Sequence, residues 1–148
     1  CALPICMIEQ TRGRAQPAMA AYKDAIAREP KLAPALNNLA LLTVETKGDL
    51  KQAEAWSREA VRLLPRAAQF HDSLATVLQA RGQTTQALAS AEAAMKLAPR
   101  DAALLWHVAQ LTAEAGNKPK GRELAQKALT MAPSKPVAEQ IRLWLAKG

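Results

Sequence analysis

The chain has 148 residues, 49% of them hydrophobic but only 3% aromatic, and a formal net charge of +7. That length allows one ordinary domain with a sizeable core, and with so few rings Ala and Leu must fill it, which favours helices. No apolar run approaches the roughly 18–20 residues of a membrane span, and the dispersed basic residues, with no aromatic platform among them, argue against nucleic acid as a partner.

Cys1 and Cys6 open the chain. Spaced five apart on a helix they point to different sides, so a mutual disulfide is not expected, and no further Cys or His joins them as a metal site. Cys6 reads as a small buried residue. A chain that begins with Cys instead of Met reads as a trimmed or processed product, as a processed bacterial lipoprotein would. The compartment, cytoplasm or bacterial periplasm and envelope, stays open.

The first long segment, GRAQPAMAAYKDAIAREP (13–30), sets a frame from Gly to Pro. The frame returns as GDLKQAEAWSREAVRLLP (48–65), GQTTQALASAEAAMKLAP (82–99) and GNKPKGRELAQKALTMAP (116–133). The closing prolines Pro30, Pro65, Pro99 and Pro133 are 35, 34 and 34 apart, and each follows its glycine (Gly13, Gly48, Gly82, Gly116) by 17. Small residues recur at fixed offsets: Ala18, Ala53, Ala87 and Gly121, then Tyr22, Ser57, Ala91 and Ala125, then Ala25, Ala60, Ala94 and Ala128. Those offsets share one face of a helix with about 3.6 residues per turn. Small side chains there let a second helix come close, and the Pro stops the helix.

Between the frames lie 32–47 (LAPALNNLALLTVETK), 67–81 (AAQFHDSLATVLQAR) and 101–115 (DAALLWHVAQLTAEA), which share the pairs Leu39-Ala40, Leu74-Ala75 and Val108-Ala109. Each predicts a helix with a large and a small residue on its packing face. The Gly opening the next frame supplies a left-handed or flexible turn between antiparallel helices. The extra residue of the 35-spacing is expected before Gly48, around Glu45-Thr46-Lys47. Residues 134–148 (SKPVAEQIRLWLAKG) depart from the frame. Ser134 or Lys135 can cap a helix with Pro136 in its first turn, and Val137, Ile141, Trp144 and Leu145 form an apolar face that shields the last repeat.

A hairpin of about 34 residues cannot bury its face alone, so stacked hairpins make one continuous core. The expected architecture is one all-α domain, an α-solenoid of antiparallel hairpins. It divides into a truncated first repeat (1–30), full repeats at 31–65, 66–99 and 100–133, and a capping helix (134–148).

The period, the Leu-Ala pair, the fixed alanines and the terminal Pro resemble the tetratricopeptide repeat, or TPR, over residues 3–133. The chain departs from the family pattern where aromatics are usual: Leu36, His71 and Leu105 stand at the first such place, Thr43, Leu78 and Thr112 at the second, and only Tyr22 is aromatic in mid-second helix. The pentatricopeptide repeat fits worse, because of the Pro-ended, Ala-rich second helix. The PALNNLALL opening, the one-residue insertion and the final helix are similar in style to C-terminal TPR arrays of bacterial envelope or exopolysaccharide-export proteins.

The sequence holds no GxSxG, phosphate-loop or HExxH motif, and His71 and His107, 36 apart, imply neither a nucleophile pair nor a metal site. The expectation is a non-enzymatic scaffold with no cofactor, metal or small-molecule substrate, binding a protein or peptide partner. The TPR resemblance places the groove on the concave side, on the first helices. Carried over, the groove residues are Asn37, Asn38 and Leu41; then Gln69, Asp72, Ser73, Thr76 and Gln79; then Trp106, His107 and Gln110. Amides suit an extended peptide backbone, and Trp106 is the expected anchor, since interface energy concentrates in Trp, Tyr and Arg. A further TPR implication, a clamp on a chaperone's terminal carboxylate, is not expected, since the first helices carry cations only near their ends, at Lys31, Arg66 and Arg100.

Two alternatives stay open. The second helices and turns carry Lys23, Arg58, Arg62, Lys96, Lys118, Lys120, Arg122 and Lys127, a convex face that could bind an anionic polymer, a membrane surface or nucleic acid. The chain could also act as an assembly module of a bacterial polysaccharide-export or secretion system, and self-association through the terminal repeat faces is compatible with either.

Overall fold

The computed structural model describes residues 15–147, so the readings made on Cys1, Cys6 and Gly13 lie outside the described residues. The described residues form eight helices and no strand. They are α1 (Ala15–Arg28), α2 (Ala33–Glu45), α3 (Leu50–Leu63), α4 (Ala68–Ala80), α5 (Thr84–Leu97), α6 (Ala102–Glu114), α7 (Lys118–Thr130) and α8 (Lys135–Ala146). Helices α2–α3, α4–α5 and α6–α7 are hairpins, and α1, α3 and α5 each pack against the first helix of the next hairpin. The fold is the all-α solenoid that the repeat demands.

The fixed small residues form the seam of the stack. Ala18, Ala53, Ala87, Ala60, Ala94, Ala125 and Ala128 are fully buried, as are Tyr22 and Ser57, while Ala25 and Ala91 are nearly so. The Leu-Ala pairs are buried opposite them. Gly121 is the tightest point of the seam: a Cβ there would stand 2.7 Å from the Ala109 carbonyl oxygen and 2.8 Å from the Ala113 Cβ. Helix α7 thus approaches α6 more closely than a side chain permits. Ser57 is an exception of another kind, because its Oγ is buried without a hydrogen-bond partner, whereas the same offset in later repeats holds Ala91 and Ala125.

The turns within hairpins share one hydrogen-bond pattern. The backbone N–H groups of Gly48, Gln83 and Asn117 donate to the carbonyls of Thr43, Leu78 and Thr112 at 2.8, 2.9 and 3.1 Å, the closure of a helix by a left-handed residue. In the later hairpins that residue is Gly82 (φ 72) or Gly116 (φ 101), as expected, but in the first hairpin it is Lys47 (φ 54). The extra residue of the long repeat is therefore Gly48 itself, lodged between Lys47 and the N-cap Asp49. It does not fall before Gly48, because α2 and α4 are equally long and close in the same way.

Between hairpins the chain leaves α3 at Leu64 (φ −132, ψ 71) and α5 at Ala98 (φ −133, ψ 70). The third exit differs: Met131 has φ −84 and ψ 12, and Ala132 enters the left-handed region at φ 52. Helix α8 then starts with Ser134 as N-cap and Pro136 in its first turn. Ile141 is fully buried, and Val137, Trp144 and Leu145 pack beside it over the last repeat.

Candidate functional site

Helices α2 and α4 approach each other more closely along the stack than any two second helices do. On the first helices, to which the TPR resemblance assigns the groove, side-chain hydrogen bonds join α4 to α6. His107 Nδ1 lies 2.6 Å from Asp72 Oδ1, an N–H donating to a carboxylate. Gln79 Nε2 donates to Glu114 Oε1 at 2.7 Å, while its Oε1 faces His107 Nε2 at 3.4 Å, too far for a strong bond. The partners Asp72–His107 and Gln79–Glu114 are each 35 residues apart. One repeat's first helix thus grips the next through polar groups.

The expected groove residues meet different fates. Gln69 is exposed, and Leu41, Asp72, Thr76, Gln79, His107 and Gln110 are half-buried. Asn38 is half-buried too, and its Nδ2 donates to the Tyr22 hydroxyl at 3.1 Å. Three others are buried. Asn37, 6% exposed, donates to Asn38 Oδ1 at 3.3 Å. Ser73 donates back to the Gln69 carbonyl at 2.8 Å within its own helix. Trp106, 6% exposed, stands edge-to-face against Trp144 of α8, with centroids 5.2 Å apart and planes at 77°. The expected anchor thus packs beneath the capping helix, and its remaining exposed edge lines a hollow beside Trp144. His71 takes no part in the ladder; its Nε2 lies 2.9 Å from the Pro65 carbonyl.

Beyond α6 the groove changes character. A cavity of about 350 Å³ is lined by Gln110, Glu114, Lys118, Arg122, Trp144 and Lys147, among others. A second, of about 290 Å³, shares Gln110, Trp144 and Lys147 with it. Of these, only Gln110 was expected in the groove: Lys118 and Arg122 were expected on the convex face, Trp144 in the packing face of the cap, and Glu114 and Lys147 in neither place. The signal for Glu114 was its place next to Ala113, the counterpart of Gln79 in the following repeat; for Lys147 it was the register of Trp144 one turn earlier. A larger cavity, about 650 Å³, lies at the other end of the hairpins between residues 98–103 and 131–137. Its one carboxylate, Asp101, already accepts from the N–H groups of Ala103 and Leu104 at 2.8 and 3.2 Å.

On the second-helix face three of the eight cations named above pair with carboxylates among the described residues. Arg58 pairs with Glu54 at 2.7 Å, Arg62 with Glu59 at 2.6 Å and Lys120 with Glu123 at 2.7 Å. Glu54 also pairs with Arg81. The hydrogen bond from Arg62 lowers the Glu59 carboxyl from its ordinary value and raises the guanidinium. Arg122 Nη2 donates to the Leu145 carbonyl at 2.8 Å, closing the end of α8. Among the described residues no His, Cys, Asp and Glu cluster could hold a metal ion, and no helix is long and apolar enough to cross a membrane.

No protein-family model and no curated protein matches the chain. Solved structures do. A thermophilic TPR protein from Thermus thermophilus aligns over 96% of this chain and 76% of its own, at 24% identity and a TM-score of 0.80. An O-GlcNAc transferase variant from Thermobaculum terrenum aligns at 25% identity and a TM-score of 0.80 over 86% of this chain, which spans only 25% of the transferase chain. The protein MamA aligns over 97% of this chain and 91% of its own, at 17% identity and a TM-score of 0.77. With the repeat, the seam and the hairpin geometry in agreement, the chain has the tetratricopeptide-repeat fold.

Proposed function

We propose that the chain is a non-enzymatic interaction scaffold that holds an extended segment of a partner protein along its first helices. The observation that carries this reading is the polar ladder from α4 to α6, in which Asp72, Gln79, His107 and Glu114 fix one another across two repeats. Such mutual bonding pre-orders the groove wall, so little side-chain freedom is lost when a partner binds. Gln69, Thr76 and Gln110 offer donors and acceptors beside it, suited to a peptide backbone. The paired charges on the second helices weigh against a purely ionic role for that face, since exposed pairs leave less net field for an anionic polymer.

Site-specific photocrosslinking separates the two faces. A benzophenone amino acid at Gln69 or Gln110 should capture a partner from a lysate of the source organism, while the same group at Gln86 or Lys96 on α5 should not. Capture only from α5 would overturn the groove reading in favour of the basic face.

A further inference from the structure

The two hollows at the far end of the groove flank Trp144, since Gln110, Trp144 and Lys147 line both. Lys118 and Arg122 complete one hollow, and Leu143, at 59% the most exposed large apolar residue among the described residues, borders the other. Glu114 is the carboxylate lining these hollows, and it already accepts from Gln79. Three cations and one engaged carboxylate thus line the hollows on either side of an indole; Lys147 reaches the one that Leu143 borders, and Arg122 also donates to the Leu145 carbonyl.

We propose that this end of the groove binds an acidic peptide segment carrying an aliphatic side chain, an inference that rests on the peptide-groove reading. The aliphatic group lies against Trp144 and Leu143, where covering apolar surface is favourable. Its flanking carboxylates meet Lys118, Arg122 and Lys147 through charge-assisted hydrogen bonds. These cations come from a second helix and the cap, so the site differs from a clamp built on first helices. Nucleic acid fits less well: bases need open aromatic faces in succession, whereas Trp106 is buried and Trp144 is itself engaged edge-to-face.

The test uses the full chain and two short fluorescein-labelled peptides with the same Leu-Met core, one flanked by Asp and Glu, the other by Lys and Arg. At low salt the acidic peptide should bind at least about tenfold more tightly, as complementary charge discriminates between partners. The double variant Lys118→Glu with Lys147→Glu should abolish that preference, and Lys96→Glu with Lys127→Glu should leave it. Lys118 and Lys147 are exposed at helix ends, so helicity by circular dichroism should not change. Equal binding of both peptides, or a preference that survives the reversal, overturns the proposal while leaving the groove reading intact. Binding of neither peptide overturns the proposal, and only if crosslinking at Gln69 also fails does the groove reading fall with it. An oligothymidylate that binds more tightly than the acidic peptide, and is lost on the same reversal, would assign the patch to nucleic acid.

Discussion

Asp72 and Trp106 occupy the same place in successive repeats, seven residues after Pro65 and Pro99. Asp72 keeps about a third of its side chain exposed and reaches across to His107. Trp106 is buried, because α8 lies where the groove would otherwise continue. Position within a repeat therefore sets which way a side chain points, but the next layer of the stack sets whether a partner can reach it. The α4–α5 hairpin has a repeat on both sides, and the α6–α7 hairpin ends against a cap.

The largest test of that contrast is truncation at the shared place. Trp106→Ala should cost about 3–5 kcal/mol in urea unfolding, as expected for a buried aromatic. Asp72→Ala should change stability by about 1 kcal/mol or less, as for a partly exposed hydrogen bond. Similar losses at both sites would mean that the cap does not secure Trp106.

The seams of the two hairpins should differ next. Gly121→Ala forces a Cβ into the Ala109 carbonyl and should cost about 1–3 kcal/mol, although Ala is the native residue at the matching place, Ala87. A thermal melt unchanged by Gly121→Ala would show that α7 can retreat from α6.

Helix starts give a smaller contrast. Asp101 accepts from two backbone N–H groups at the start of α6, while Ala67 at the start of α4 offers no side-chain acceptor. Asp101→Ala should therefore lose about 1 kcal/mol and Ala67→Asp should gain a comparable amount, read as opposite shifts in the urea midpoint. The smallest effect is expected at Ser57. Ser57→Ala removes a buried hydroxyl with no partner and makes the repeat match Ala91 and Ala125. Stability should rise by about 0.5–1 kcal/mol; a fall would reveal a bonded hydroxyl.

The hairpin stack was legible because the same packing problem recurs at each copy, and only small residues at fixed offsets solve it. Ala53, Ala87 and Ala128 are identifiable as seam from their offsets alone. The site was less legible. Gln69 and Thr76 could be proposed for the groove only through the TPR resemblance, and the burial of Trp106 depends on the path of α8, which leaves the repeat through the Ala132 turn. Nothing in the periodicity encodes that turn. Asn37 was misleading for a related reason: its amide marks it as polar, yet its place in the stack buries it. Gly48 shows the same limit, since a glycine conspicuous in the frame proved to be the inserted residue while Lys47 took the left-handed conformation.

The near-identical exits at Leu64 and Ala98 carry a consequence for array length. Residues 66–99 begin and end at equivalent seams, so a tandem copy of that segment could be spliced in without altering either junction. Each added copy would lengthen the stack by one hairpin and leave the terminal hollows unchanged, although its Ser73 and Ala80 would stand where His107 and Glu114 complete the present ladder. The left-handed step at Ala132 marks where such growth stops. The size of the recognition surface and the chemistry of its end are thus separately adjustable.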